Sequence, residues 1–257
     1  FIVALAALAA TASFAQSSVT ISGTVDAALT NTNVVATDGA AAVKNTGLSH
    51  SNRGTTAVVF SGVEDLGGGL KAEFLWELNY NPANTGSLSS QPDNKDQFQT
   101  GQTYAGLSGA FGSLRAGAPN TPSLTAMTSR QPFGTKIGGG YTGALGTGRV
   151  RYDNSVVYAT PNFSGFTAAL GYAFKTKDAT SVTQASYTDF GLNYANGPLR
   201  AGVAYFETEK TGTGVKGKQT NLYGQYDIGA ATLYLGYGDE TTAANVKQKG
   251  YNVAAKY

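Results

Sequence analysis

Few residues in this 257-residue chain have the types and spacing that catalysis requires. His50 is the only histidine, and it stands between Ser49 and Ser51 with no motif that would make it the activating base of a serine nucleophile. Cysteine is absent, which removes disulfides, zinc-thiolate sites and a cysteine nucleophile together. The segment GGGYTG, Gly138 to Gly143, fits a G-x-G-x-x-G spacing without the strand-to-helix context that would make it a phosphate loop, and 34 glycines produce such a match by chance. The acidic residues lack EF-hand spacing, so no metal site is implied, and nothing calls for a cofactor or an enzyme activity. Two constellations remain. Glu73 and Glu77 lie four apart on one face of a strand, with Lys71 as their expected local counter-charge. From Ala118 to Arg151 the chain carries Arg130, Lys136, Arg149 and Arg151 without one Asp or Glu, a grouping that attracts anions rather than makes bonds.

The element that carries the two glutamates is LKAEFLWELNY. At period two, one side is Leu70, Ala72, Phe74, Trp76, Leu78 and Tyr80; the other is Lys71, Glu73, Leu75, Glu77 and Asn79. The alternation recurs along the whole chain, for example at Val19, Ile21, Val25 and Ala27, from Phe166 to Phe174, from Ala231 to Tyr237 and from Tyr251 to Tyr257. No helical period competes with it after the first segment. The connections alternate too. Tight ones (DLGGG, SGAFGS, TPNFSG, ANGP, DIGA) are interleaved with long polar ones at 31–53, 81–97, 118–148, 175–186, 207–218 and 239–249. An up-and-down meander of this kind collects every tight turn at one end.

Composition identifies the two environments. Charged residues are 13% of the chain, against roughly 25% in soluble domains. The polar faces are built mostly from Thr, Asn, Gln and Gly, and the apolar faces end in rings such as Tyr80, Tyr172, Tyr194, Tyr205, Tyr226, Tyr237 and Tyr257. This pattern predicts an all-β fold, an antiparallel transmembrane β-barrel with lipid on one side and a water-filled lumen on the other, closed because sheet edges find no partners in lipid. The alternating runs give about twelve strands. A charge facing lipid at mid-depth costs on the order of a few kcal/mol, so Lys71, Glu73, Glu77, Arg115, Asp189 and Arg200 are expected to face the lumen. Net charge is +2, too small to suggest nucleic acid. The apolar segment Phe1 to Ala10 followed by Ser13-Phe14-Ala15 reads as a signal peptide, residues 1–15, without its charged leader; it is shorter than the roughly 20 residues of a membrane helix. Residues 16–257 then form the barrel domain.

Four stretches, SSVTISGTVDAAL, EDLGGGLKAEFLWE, TYAGLSGAFGSLRAG and RYDNSVVYATPNFSGFTAALGYAF, resemble the Gram-negative general porins of β-proteobacterial type. The resemblance implies a sixteen-stranded barrel of which about four C-terminal strands are missing here, a homotrimer in outer-membrane lipid, and a third loop folded inward as a constriction. It places that loop at 118–148, with QPFG (Gln131 to Gly134) at its tip and Arg151 as a pore-wall cation beside Asn154. Arg130, Lys136, Arg149 and Arg151 would then line the constriction and favour anions. Two arginines common in such porins are replaced by Ala57 and Ala118, which reduces the expected preference to a modest one. The implied activity is passive diffusion of small ions and hydrophilic solutes across the cell outer membrane. A substrate-specific channel and a non-conducting adhesin or anchor are the alternatives.

Overall fold

The computed structural model describes residues 18–34, 42–51, 54–82, 99–129, 131–134, 150–177, 182–209 and 215–257. The signal segment 1–15 lies outside them. Sixteen strands are present among the described residues: β1 (Ser18–Thr24), β2 (Ala27–Val34), β3 (Val43–His50), β4 (Ala57–Gly67), β5 (Leu70–Asn79), β6 (Gln99–Gly109), β7 (Gly112–Ala118), β8 (Ser155–Ala159), β9 (Phe166–Ala173), β10 (Thr176–Lys177), β11 (Val182–Gln184), β12 (Tyr187–Asn196), β13 (Leu199–Thr208), β14 (Lys218–Ile228), β15 (Ala231–Thr241) and β16 (Lys247–Lys256). Twelve of them form one antiparallel sheet in the order β1-β4-β5-β6-β7-β8-β9-β12-β13-β14-β15-β16, and β1 and β16 at its ends are not bonded to each other. All five tight connections join neighbours in this sheet, as the alternation requires.

The sequence reading needs three corrections. The connection 31–53 is not all loop: β2 and β3 pair as a separate ribbon, with Leu29 opposite Leu48. Asp26 interrupts the strand here, because its carboxylate accepts the Gly54 N–H at 2.8 Å and its own N–H donates to Thr56 Oγ1 at 3.0 Å. The connection 175–186 likewise holds the short pair β10 and β11. Third, a helix occurs where no helical period was visible. α1 (Pro122–Ser129) is made of small and polar residues, so it has almost no apolar stripe to read. Its start is nonetheless conventional: Pro122 takes the first turn, and Thr121 Oγ1 accepts the Leu124 N–H at 3.3 Å.

α1 identifies the two faces of the sheet. It packs on β9, β12, β13 and β14, against the side that carries Gly171, Asp189, Gly191, Ala204 and Tyr223. The opposite side presents Phe166, Leu170, Phe190, Leu192, Leu222, Leu233 and Leu235 to the surroundings. Register carries the same division to β5, where Phe74 and Trp76 are on the exposed apolar side and Glu73 is on the helix side.

The tight turns depend on glycine. At Gly112 φ is +105°, and a Cβ there would meet the Ala159 carbonyl and lie 3.1 Å from Pro161 Cδ. At Gly229 φ is +59°, with open space around it. Gly229→Ala is therefore expected to cost only the left-handed backbone penalty of about 1–2 kcal/mol. Gly112→Ala adds strain of about 1–3 kcal/mol. Urea unfolding of the detergent-refolded variants checks the order; equal losses would mean that the close packing at Gly112 is immaterial.

Candidate functional site

The site is built on the helix-bearing face. α1 is held by the sheet at both ends. Ser123 donates from its N–H (3.0 Å) and its hydroxyl (2.7 Å) to Asp189 Oδ1, in the buried first turn where a carboxylate also complements the helix dipole. At the other end Gln225 Nε2 donates to the Ser129 carbonyl. Between them Ala126 packs on Ala204 and Tyr223, and Met127 is fully buried. The approach is close because two wall residues lack side chains: a Cβ at Gly171 or Gly191 would come within 3.3 or 3.1 Å of Pro122. The two ends of the connection also meet, since Thr121 N–H donates to Val150 O at 2.9 Å.

Besides Asp189, the charged side chains expected on one face form three bonded groups, with Lys71 apart from them. Glu73 pairs with Arg115 at 2.7 Å, and the guanidinium also sits 4.8 Å from the centre of the Tyr104 ring. The expected counter-charge, Lys71, is not the partner. Arg115 reaches from two strands away because Gly106, which separates it from Glu73 in the register, offers no side chain to obstruct it. Glu77 accepts the Gln102 N–H at 3.2 Å; Gln102 Oε1 accepts the Asn120 N–H at 3.1 Å, and Asn120 Oδ1 accepts from Arg151 at 3.3 Å. A polar relay thus joins the wall glutamate to the return limb of the connection. Arg200 pairs with Asp227 at 2.9 Å. Lys71 stands near the tight-turn end, across from Asp65 and Ser108.

Arg130, Lys136 and Arg149 lie outside the described residues. Arg151 is within them, and the QPFG turn is closed by Gln131, whose side chain accepts the Phe133 N–H at 3.1 Å and donates to Gly134 O. Sequence reasoning named Asp189 and missed its partner Ser123, and it missed Gln102, Asn120, Gln225 and Asp227. Their signal was available in part: Gln102, Gln225 and Asp227 occupy the same parity as the charged residues. Among the described residues no group of three or more His, Cys, Asp or Glu could hold a metal.

Comparison with known proteins agrees in kind. A family model described as Gram-negative porin matches residues 3–257. Outer membrane porin protein 32 of Delftia acidovorans is 36% identical over 246 residues, covering 90% of this chain and 67% of the relative. Major outer membrane protein P.IB of Neisseria gonorrhoeae is 33% identical over 195 residues, covering 74% and 51%. The solved structure of an anion-selective porin from Comamonas acidovorans superposes with a TM-score of 0.72 at 29% identity, covering 93% of this chain and 74% of that one. The chain thus spans about half to two thirds of the curated relatives' length.

Asp189→Ala is expected to release the first turn of α1. The loss of two hydrogen bonds to one buried acceptor costs about 1–3 kcal/mol, which appears as roughly ten-fold or greater acceleration of amide exchange in the Pro122–Ser129 peptide. Asp189→Asn keeps Oδ1 and should retain most of the protection. Equal exchange in all three proteins would show that the helix is held without Asp189.

Proposed function

Because the chain belongs to the Gram-negative porin family, we propose that its helix-bearing face lines a water-filled pore in the outer membrane, through which small ions and hydrophilic solutes diffuse passively. The observation that carries this reading is the division of one sheet into an exposed apolar side and a side lined with Glu73, Arg115, Asp189, Arg200, Asp227 and Tyr223. Only a membrane makes the first side favourable, and only water makes the second so. Family members are porins, and no catalytic role is proposed for this one. The unpaired edges of β1 and β16 cannot stand in lipid. Closure of the wall therefore belongs to this reading, as does a homotrimer.

Selectivity is assigned to the connection rather than the wall. Arg115 and Arg200 face carboxylates, whereas Arg151 faces the neutral Asn120. Arg130, Lys136 and Arg149 occupy the same acid-free stretch of sequence, so the connection as a whole carries a net positive charge. A modest anion preference follows, in line with a relative described as anion-selective.

The test uses protein purified from outer membranes and reconstituted in planar bilayers. Ohmic steps with an anion-side zero-current potential under a KCl gradient are expected. Steps blocked by one solute would indicate a specific channel, and no steps an anchor. Arg130→Glu/Lys136→Glu should move the potential towards cations, and Glu73→Gln, which strips Arg115 of its partner, should move it towards anions. Salt should erode both effects as the Debye length falls from about 10 Å at 0.1 M to about 3 Å at 1 M. An unchanged potential in the double variant would remove the connection from the mechanism.

Orientation has its own test. Long connections outside and tight turns inside predict that Ala83→Cys labels in intact cells with an impermeant reagent and Gly68→Cys does not. The reverse pattern would invert the assignment.

A further inference from the structure

β5 turns one leucine to its polar side. Leu75 lies between Glu73 and Glu77 and shares their parity, whereas Leu70 and Leu78 of the same strand are on the opposite side. Register sets Tyr104 of β6 directly opposite Leu75, with Gly117 of β7 beyond it; in the adjacent row Gly106 stands opposite Arg115. Two large side chains and two glycines thus occupy alternate corners of one square. Each glycine leaves room for a neighbour to lie flat. Arg115 Cγ is 3.1 Å from where a Cβ of Gly106 would stand, and Gly117 sets no side chain beside the Tyr104 ring. Val59 and Val63 of β4 share this side, so the patch is apolar as well as charged.

Arg115 presents a free edge there. Its Nε donates to Glu73 at 2.7 Å, and its guanidinium lies 4.8 Å from the centre of the Tyr104 ring. The two terminal nitrogens, with four N–H donors between them, make no hydrogen bond among the described residues, and the side chain is 37% exposed. Leu75 and Tyr104 are half-buried. α1 packs elsewhere, on β9, β12, β13 and β14.

We propose that Leu75, Tyr104 and Arg115, with Glu73 orienting the guanidinium, form a subsite for aromatic monocarboxylates that pass through the pore. The assignment rests on the reading of this side as the lumen. Its own support is the joint chemistry. A carboxylate takes the free donors of the Arg115 fork, whose planar geometry it matches, and the solute ring lies along Leu75 and Tyr104. Charge selects a monoanion: Glu73 and Arg115 already cancel, and Glu77 is close by, so a dianion such as phosphate meets more repulsion. An aliphatic acid uses the fork and leaves the apolar strip wet; a neutral aromatic solute does the opposite. One fork and one ring hold the solute weakly enough to let it leave, as conduction requires.

The experiment uses the protein purified from outer membranes and reconstituted in planar bilayers, in KCl at fixed ionic strength. Benzoate, acetate and benzyl alcohol are added in turn, and the size of the conductance steps is followed against concentration. Benzoate should reduce the steps at concentrations roughly two- to ten-fold below those of acetate or benzyl alcohol, the range that one aromatic contact supplies. A methyl-substituted benzoate should behave in the same way, because such a patch delays a class of solutes without making the pore specific for one. Tyr104→Leu, which removes the ring, and Arg115→Lys, which keeps the charge and removes the fork, should each bring benzoate close to acetate. Leu75→Thr should do so in part. Equal action of benzoate and acetate on the wild type overturns the subsite whether or not the variants assemble, and so does a benzoate advantage that survives both Tyr104→Leu and Arg115→Lys. Wild-type steps without a benzoate advantage remove the subsite alone, whereas no steps in KCl remove the channel reading and the subsite with it.

Discussion

A backbone N–H or C=O in hydrocarbon has no partner except another backbone group, and leaving it unpaired costs several kcal/mol. The main sheet is arranged around that constraint. Its twelve strands are bonded laterally without a break from β1 to β16, so the groups along each interior strand are spoken for on both sides. Strict alternation follows from the same requirement, because a one-residue slip would turn every apolar side chain inward and every charge into lipid. Where the chain leaves this regime it also leaves the sheet. The β2–β3 ribbon pairs apart from the twelve-stranded sheet, with Leu29 opposite Leu48.

The face that does not meet lipid has a different problem, which is to hold polar side chains and a helix without a thick core. Glycine in the strands solves it. Gly106 lets Arg115 lean across to Glu73, Gly202 lets Tyr223 reach Asn193 (2.9 Å), and Gly171 with Gly191 lets Pro122 lie almost on the backbone. Glycine inside a strand loses about 0.5–1 kcal/mol relative to alanine, and a strand bonded on both edges tolerates that loss. The buried polar residues Asp189 and Gln219 share this face with α1, and Asp189 Oδ1 there accepts from both the N–H and the hydroxyl of Ser123.

Period-two pattern and turn chemistry made the wall legible from sequence. Leu70 to Tyr80, the five tight turns and the side chosen by Glu73 and Asp189 all came from a signal that repeats along the chain. What escaped had no period. α1 is eight residues of mostly small side chains whose helical state depends on a carboxylate 66 residues away. The Glu73 partner was misread as Lys71 because proximity in sequence is a poor guide on a strand, where neighbours in space are set by register and by which intervening residue is glycine. The ribbon of β2 and β3 was hidden because both its faces are polar enough to look like a loop.

The placement of charge explains why the wall and the connection would make unequal contributions to ion preference in the proposed channel. A guanidinium 2.7 or 2.9 Å from a carboxylate presents a dipole, as Arg115 and Arg200 do, and its field decays faster with distance than that of a lone charge. Arg151 keeps a monopole because its partner Asn120 is neutral, and the relay through Gln102 to Glu77 fixes where that monopole sits without cancelling it. In the proposed channel an ion passing within a Debye length, about 8 Å at physiological salt, would be influenced more by Arg151 than by the paired wall arginines. Placement of α1 by Asp189 and Gln225 would then be an electrostatic matter as well as a steric one, because the proposed constriction and its basic residues share one connection.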